Sequence, residues 1–497
     1  MSSLCRLCKR SPIVDRAISS GPTPIAILLL IVMAANRASA QGPPALPDRP
    51  WHSAEERQVA REAQRPRQFG FHIDADKIYS LADLIDLAEA HNPETRVAWE
   101  NARAQAAALG ISRSELYPTL SAVAVSGVVR SDAGSASGFY RQTMPDSELT
   151  LTLNYTIFDF GARRGRIDAA AARLLKTNFG FNDVHRQLIY KVQQAYYRLL
   201  NASAQETAAR ASLANAQAVQ QAVEERLKNG LATLPDVLEA RSATAQAQYD
   251  LQAVLGAELI ARGDLTTVLG ASATSMIRVQ PFTEVPTPET VGDTVEQVID
   301  RAINQRPDLQ EYGAGIREAS AQRKEARSAY YPSLNLSVSP TAESLNLLQR
   351  DIPSGHTADV AGGVALSLNW TLFDGGARKN QLAQAEARIR QAEAQVDAAR
   401  DQIENEVWSA YSNLTIAFRQ REAATALLEA ATQSYAAALE SYNYGVRSLL
   451  DVTAAQKVLA QARSAEILAR TQVLASLSDL AFRAGDLIQV DAKRSKP

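Results

Sequence analysis

Residues 153–162, LNYTIFDFGA, return about 215 residues later as LNWTLFDGGA at 368–377, and a repeat of that period constrains the fold more than any composition does. The offset holds along most of the chain. Asn92-Pro93 recurs as Arg306-Pro307, Tyr117-Pro118 as Tyr331-Pro332, Gly230 with Asp236-Val237 as Gly445 with Asp451-Val452, and Gly270 as Gly485. The chain therefore reads as a tandem duplication. Each copy runs helix, strand, strand, very long helix, tip, helix, and neither is expected to bury itself alone.

A net charge of −2, with 46% apolar and 6% aromatic residues over 497 positions, describes an ordered, helix-rich chain with no basic surface for nucleic acid. Lys9, Arg10, the apolar run Ile25–Ala35 and Ala38-Ser39-Ala40 before Gln41 have the layout of a secretory signal over 1–40. Cys5 and Cys8 fall inside it, so the exported chain is expected to carry no disulfide or thiolate chemistry. Gln41 stands where a lipid-anchor cysteine would. No later run approaches the roughly 20 apolar residues of a spanning helix, which leaves the periplasm, the exterior, or a membrane crossed by strands.

Strands of that kind are legible. Leu149, Leu151, Leu153, Tyr155 and Ile157 alternate with Thr150, Thr152, Asn154 and Thr156, and Val364, Leu366, Leu368, Trp370 and Leu372 alternate with Ala365, Ser367, Asn369 and Thr371. A period of two over about ten residues fits lipid on one face and water on the other, and equally a soluble hairpin packed on helices. Strands are expected at about 118–130, 147–159, 332–340 and 360–374, with loops at Ser131–Pro145 and Thr341–Thr357. Tyr117, Phe158, Phe160, Tyr330, Tyr331 and Phe373 fall at one end of them, as an interfacial girdle does. Four strands cannot close a membrane barrel, because open edges leave backbone groups unpaired in hydrocarbon. Three chains would supply twelve, within the range such barrels use.

From Ala162 to about Lys228 and from Ala377 to about Tyr444 there is no proline; as a continuous helix each is roughly 100 Å long. Leu188, Val192, Ala195 and Leu199 keep a four-three spacing that Ile403, Val407, Ala410 and Leu414 repeat. Helices Leu81–Leu116 and Val295–Tyr330 lead into the strands, and helices from about Pro235 to Leu269 and Leu449 to Ala484 return from the tips. The expected organisation is a signal (1–40), an N-terminal periplasmic extension (41–80), a first copy (81–270), a linker (271–294), a second copy (295–485) and a tail (486–497).

The duplicated order, the junctions FDFGARR and FDGGARK, and the tips NGLATLPDVLEAR and YGVRSLLDVTAAQ resemble the TolC-like outer-membrane efflux protein family. The resemblance implies a mixed α and β membrane protein: a homotrimer with a twelve-stranded outer-membrane β-barrel continued by a periplasmic α-helical barrel. It implies as partners a periplasmic adaptor and an inner-membrane pump of the RND or ABC type. It also places a gate at the tips, where Tyr442 and Arg447 would tether the inner helix pair to a neighbouring Asp236 and Asp451 would join a ring of three carboxylates. Ala454 occupies the place of a second acidic residue, so a less acidic aperture is expected.

Gly230 and Gly445 suit the left-handed turn that reverses two helices, and Leu231, Leu234, Val446 and Leu449 beside them are expected to be exposed for adaptor docking. Tyr117, Phe158, Phe160, Tyr331 and Phe373 would mark a membrane interface. Arg163, Arg164, Arg378 and Lys379, at helix starts where the dipole disfavours them, would meet headgroup phosphates there or be plainly solvated. The histidines, His52, His72, His91, His185 and His356, are scattered and form no zinc motif. No nucleophile elbow or phosphate loop is present, so neither an enzyme nor a cofactor is expected. The resulting expectation is an exit duct for tripartite efflux or type I secretion in the outer membrane of a Gram-negative bacterium. The competing reading is a non-conducting envelope scaffold anchored by its strands.

Overall fold

Both halves of the chain fold into the same series of elements at matching lengths. The first half carries β1 (Ile78–Tyr79), α2 (Leu81–His91), α3 (Pro93–Ser114), β2 (Thr119–Ser135), β3 (Gly138–Phe158), α4 (Ala162–Lys228) and α5 (Leu234–Val268). The second carries β4 (Arg278–Val279), α6 (Val295–Gln305), α7 (Pro307–Ser328), β5 (Ser333–Gln349), β6 (Gly355–Asn369), α8 (Ala377–Asn443) and α9 (Leu449–Ala484). The computed structural model describes residues 54–64, 71–135, 138–281, 294–349 and 355–486; the expected signal segment lies outside them. A separate N-terminal unit, residues 1–69, contains α1 (Ala54–Ala63).

The helix expected over Leu81–Leu116 is two helices, and so is its counterpart over Val295–Tyr330. A proline disfavours helical geometry at the residue before it and suits the first helical position. Asn92 and Arg306 accordingly stand extended, at ψ 131° and 122°. The Asn92 side chain accepts the Glu94 N–H at 2.7 Å and donates to the Val268 carbonyl at 2.7 Å, which caps α3 and ties it to the end of α5. The long helices α4 and α8 each run 67 residues unbroken, about 100 Å at 1.5 Å per residue. No helix among the described residues is long and apolar enough to cross a membrane.

Each half has a core cluster of its own. Leu188, Val192, Ala195 and Leu199 of α4 pack with Leu84 and Ala88 of α2 and Leu265 of α5. Ile403, Val407, Ala410 and Leu414 of α8 pack with Val298 and Ala302 of α6 and Leu480 of α9. The short helix before the proline break makes this possible, because it folds over the long helix where the return helix ends. A third cluster, at the tips, is shared: Val219, Val223, Val237 and Ala240 come from the first half, and Ala438, Tyr442, Leu449 and Val452 from the second.

The long strands form one antiparallel sheet in the order β2-β3-β5-β6, in which the β3–β5 pairing joins the halves. Ser131–Ser135, Gly138–Pro145 and Thr341–Gln349, expected as loops, are strand. Their glycines and polar residues signal turns locally, but once a hairpin is in register the backbone bonds extend it whatever the side chains. Pro340 is accommodated because its partner is Gly362, where an added Cβ would stand 3.0 Å from the Pro340 Cα. β6 ends at Asn369 rather than at residue 374. Trp370 leaves the sheet and its indole N–H donates to the Tyr330 carbonyl at 3.2 Å.

Candidate functional site

Register sorts the sheet into two unlike faces. Leu120, Leu153, Val338 and Val364 lie side by side in one row, and Ala124, Leu149, Ala342 and Val360 in another on the same face. The opposite face carries Thr119, Asn154, Ser337 and Ala365 in one row, and Val125, Glu148, Glu343 and Asp359 in another. Thr150 and Thr341 hydrogen-bond across that polar face at 2.9 Å. No sequence signal announced the row of three carboxylates, since its members come from three strands.

At the strand ends Phe158, Phe160 and Tyr331 gather. Phe160 stacks on Tyr331 with centroids 4.8 Å apart and meets Phe158 edge-on at 4.6 Å. These contacts hold Phe160 at φ 50°, a left-handed conformation disfavoured for its side chain, at the position that Gly375 fills in the second half with φ 62°. Tyr117 and Phe373 are exposed.

The basic pairs divide their labour. Asp159 accepts the Gly161 and Arg163 amides at 3.2 and 2.8 Å and the Arg163 Nε at 3.0 Å. The same guanidinium donates to the Glu115 and Ile157 carbonyls, so Arg163 is turned into its own strand-to-helix junction. Asp374 and Arg378 repeat the arrangement at 2.7 Å, with Arg378 also on the Leu372 carbonyl. A carboxylate caps each long helix and offsets the cation that the dipole disfavours. Arg164, beside Asp168 at 3.3 Å, and Lys379 are the members that face outward.

At the tips, α4 and α8 end on Gly230 and Gly445 at φ 70° and 77°. Leu231 N–H reaches back to the Arg226 carbonyl at 2.8 Å and Val446 N–H to that of Ser441 at 2.9 Å, the bond pattern of a glycine-terminated helix. The next helices open on capping boxes. Asp236 Oδ2 accepts from the Thr233 amide and hydroxyl at 2.8 and 2.7 Å, and Asp451 Oδ2 from those of Ser448 at 3.1 and 2.9 Å. Thr-x-x-Asp and Ser-x-x-Asp are readable spacings, and they give both tip carboxylates a structural task that the gate expectation passed over. The Thr233 hydroxyl and amide hold Asp236 below the usual carboxylate range.

Of the apolar tip residues, Leu231, Leu234 and Val446 are exposed, but Leu449 is not. At the first position of α9 it turns into the shared tip core, and the outward place belongs to Leu450. The Tyr442 ring is buried in the same core, 8% exposed. Burial pushes its phenol pKa up, opposed by the Arg226 cation. Among the described residues Arg447 has no acidic partner within the chain, and the two sides of the expected tether are not joined inside one copy.

The sequence profile of the outer membrane efflux protein family matches residues 84–271 and 298–486, the two halves in turn. Protein CyaE of Bordetella pertussis is 28% identical over 416 residues, 83% of this chain and 86% of its own. Outer membrane protein OprJ of Pseudomonas aeruginosa is 25% identical over 319 residues, 64% of each chain. The crystal structure of a membrane protein from Pseudomonas aeruginosa superposes with a TM-score of 0.71 at 25% identity, covering 84% of this chain and 94% of that one. The chain belongs to the outer membrane efflux protein family, as an outer-membrane protein of a Gram-negative bacterium with a helical extension into the periplasm.

Proposed function

We propose that three copies of this chain close one twelve-stranded barrel in the outer membrane and continue it as a helical tunnel, forming the gated exit duct of a tripartite efflux or type I secretion machine. The two-faced sheet carries this reading. Three neighbouring carboxylates, Glu148, Glu343 and Asp359, repel one another and need water. The rows behind them, Leu149, Ala342 and Val360 among others, suit hydrocarbon. A scaffold has no use for a wet face. The edge strands β2 and β6, of 17 and 15 residues, leave backbone groups that lipid does not tolerate unpaired. Pairing β2 of one copy with β6 of the next satisfies both edges, and such a head-to-tail contact closes as a ring. A spanning strand needs about 9–11 residues, so the outer parts of these strands project beyond the bilayer. Tyr117, Phe158, Phe160, Tyr331 and Phe373 line its periplasmic edge, where Arg164 and Lys379 meet headgroup phosphates.

The gate lies at the opposite end of the long helices. Arg447 and the Tyr442 hydroxyl tether the inner helix pair to a neighbouring Asp236, a set of charge-assisted bonds each weak enough near water to be reversible. Asp451 from each copy forms a carboxylate ring that favours cations, less acidic for want of a second charge at Ala454. A periplasmic adaptor docks on Gly230, Leu231, Leu234, Gly445 and Val446, and an inner-membrane pump of the RND or ABC type supplies the energy. The test is single-channel conductance in a planar bilayer. A small cation-preferring current that grows in the Tyr442→Phe, Arg447→Ser double variant is expected. Silence from both proteins, verified as inserted and folded, would favour the scaffold.

A further inference from the structure

One contact at the tips joins the two halves and has no counterpart by duplication. Arg226, in the last turn of α4, crosses to the end of α8, where its guanidinium lies 4.6 Å from the centroid of the Tyr442 ring. Its Nη1 also donates to the Tyr442 carbonyl at 3.1 Å. The Arg226 Nε is buried without a hydrogen-bond partner. A polar atom left unsatisfied in this way is costly, and the rest of the guanidinium is held by Tyr442 alone. Shifted by the repeat, the place of Arg226 is taken by Ser441 and that of Tyr442 by Leu227. One tip thus supplies the cation and the other the ring.

Capping a helix end is the plain explanation for a cation on a terminal carbonyl. It does not account for this pair. The matching carbonyl of Leu227 accepts the Gly230 N–H at 3.0 Å, and α4 ends there with no cation supplied by the other tip. What Arg226 adds is a fixed position for Tyr442. The guanidinium lies over the ring, which belongs to the same buried tip cluster as Val223, Val237 and Leu449.

We infer that Arg226 is the positioning residue of the gate: an intrachain latch that holds the α8–α9 hairpin against the α4–α5 hairpin and presents Tyr442 for its tether. The second hairpin cannot swing outward without breaking the cation–π contact and the carbonyl bond together. This rests on the reading of Tyr442 as a gate residue given above.

Resting conductance of the full-length protein in planar bilayers tests it, with Arg226→Gln, Arg226→Lys, Tyr442→Leu and the Arg226→Gln, Tyr442→Leu double variant. Each single loss is expected to raise resting conductance several-fold. The double variant should rise no further than Tyr442→Leu, which removes the latch and the tether hydroxyl together, and Arg226→Lys, which keeps a cation over the ring, should keep most of the closure. Wild-type conductance in Arg226→Gln, alongside a Tyr442→Phe, Arg447→Ser variant that does open, overturns the latch and leaves the gate standing. If neither opens, the gate reading itself fails. Should glutamine prevent assembly, Arg226→Met takes its place: opening of the Arg226→Met, Tyr442→Leu combination beyond that of Tyr442→Leu refutes a shared contact.

Discussion

At the scale of single residues, two glycines that look alike in the sequence are required for different reasons. Gly230 and Gly270 both end helices at positive φ, 70° and 81°. A Cβ on Gly230 would meet nothing within 4 Å, whereas one on Gly270 would stand 2.8 Å from the His91 carbonyl oxygen. Gly230→Ala should therefore cost only the left-handed conformation, about 1–2 kcal/mol. Gly270→Ala should cost clearly more, because backbone at the α2–α3 break has nowhere to move. Chemical unfolding of the detergent-solubilised protein measures both; equal losses would mean that the close approach is relieved elsewhere. That each position needs glycine was legible from the repeat. The crowding at Gly270 was not, since His91 lies far away along the chain.

Between elements, the junction of α4, α7, α8 and α9 depends on buried charge. Arg186, 2% exposed, pairs with Asp183 at 2.6 Å, donates to the Phe482 carbonyl at 2.7 Å and lies 4.4 Å from the Phe482 ring centroid. Arg306, 4% exposed, bridges Asp308 and Glu406 at 2.6 and 2.9 Å, and Arg483 holds the same Glu406 at 2.9 Å. Burial pushes Asp308 and Glu406 up, but the arginine charges and hydrogen bonds overcome it and hold both below the usual carboxylate range. A carboxylate depressed on folding contributes stability that is complete above its unfolded pKa and lost as pH falls through the folded one. The junction should thus keep its stability from neutral pH down to about 4, the ordinary carboxylate value, and melt below it. Arg186→Ala, which strands the Asp183 charge, should cost about 3–5 kcal/mol in a denaturant titration at pH 7. A loss under 1 kcal/mol would show the network to be dispensable. The four-three spacing foretold the apolar stripes of α4 and α8. Nothing local foretold that these arginines close the gaps between them.

For the whole molecule, the open edges of the sheet make the sharpest demand. Cysteine pairs, one in β2 and one at the facing position of β6, in a chain whose own Cys5 and Cys8 have been replaced should form disulfides between copies, in ladders that stop at three. Non-reducing gel electrophoresis reads the result. Dimers only, or ladders beyond three, would refute a closed trimeric barrel. The strands are longer than their local composition suggests, for a physical reason. Ser131–Ser135 and Gly138–Pro145 have turn-forming composition, yet both segments are strand, because register set farther down the hairpin carries the pairing outward.

What the sequence by itself determined is whatever short-range physics encodes: the period of the duplication, the unbroken span of α4 and α8, the starts at Pro93 and Pro307, the reversals at Gly230 and Gly445, and the alternation of the strands. Tertiary structure alone decided which of these surfaces meet. It turned Leu449 inward and Leu450 outward, set Glu148, Glu343 and Asp359 in one row, and laid Arg226 on Tyr442. Such pairings join residues up to hundreds of positions apart. Each is fixed by packing and register rather than by the local preference of either partner, so neither side carries a trace of the other.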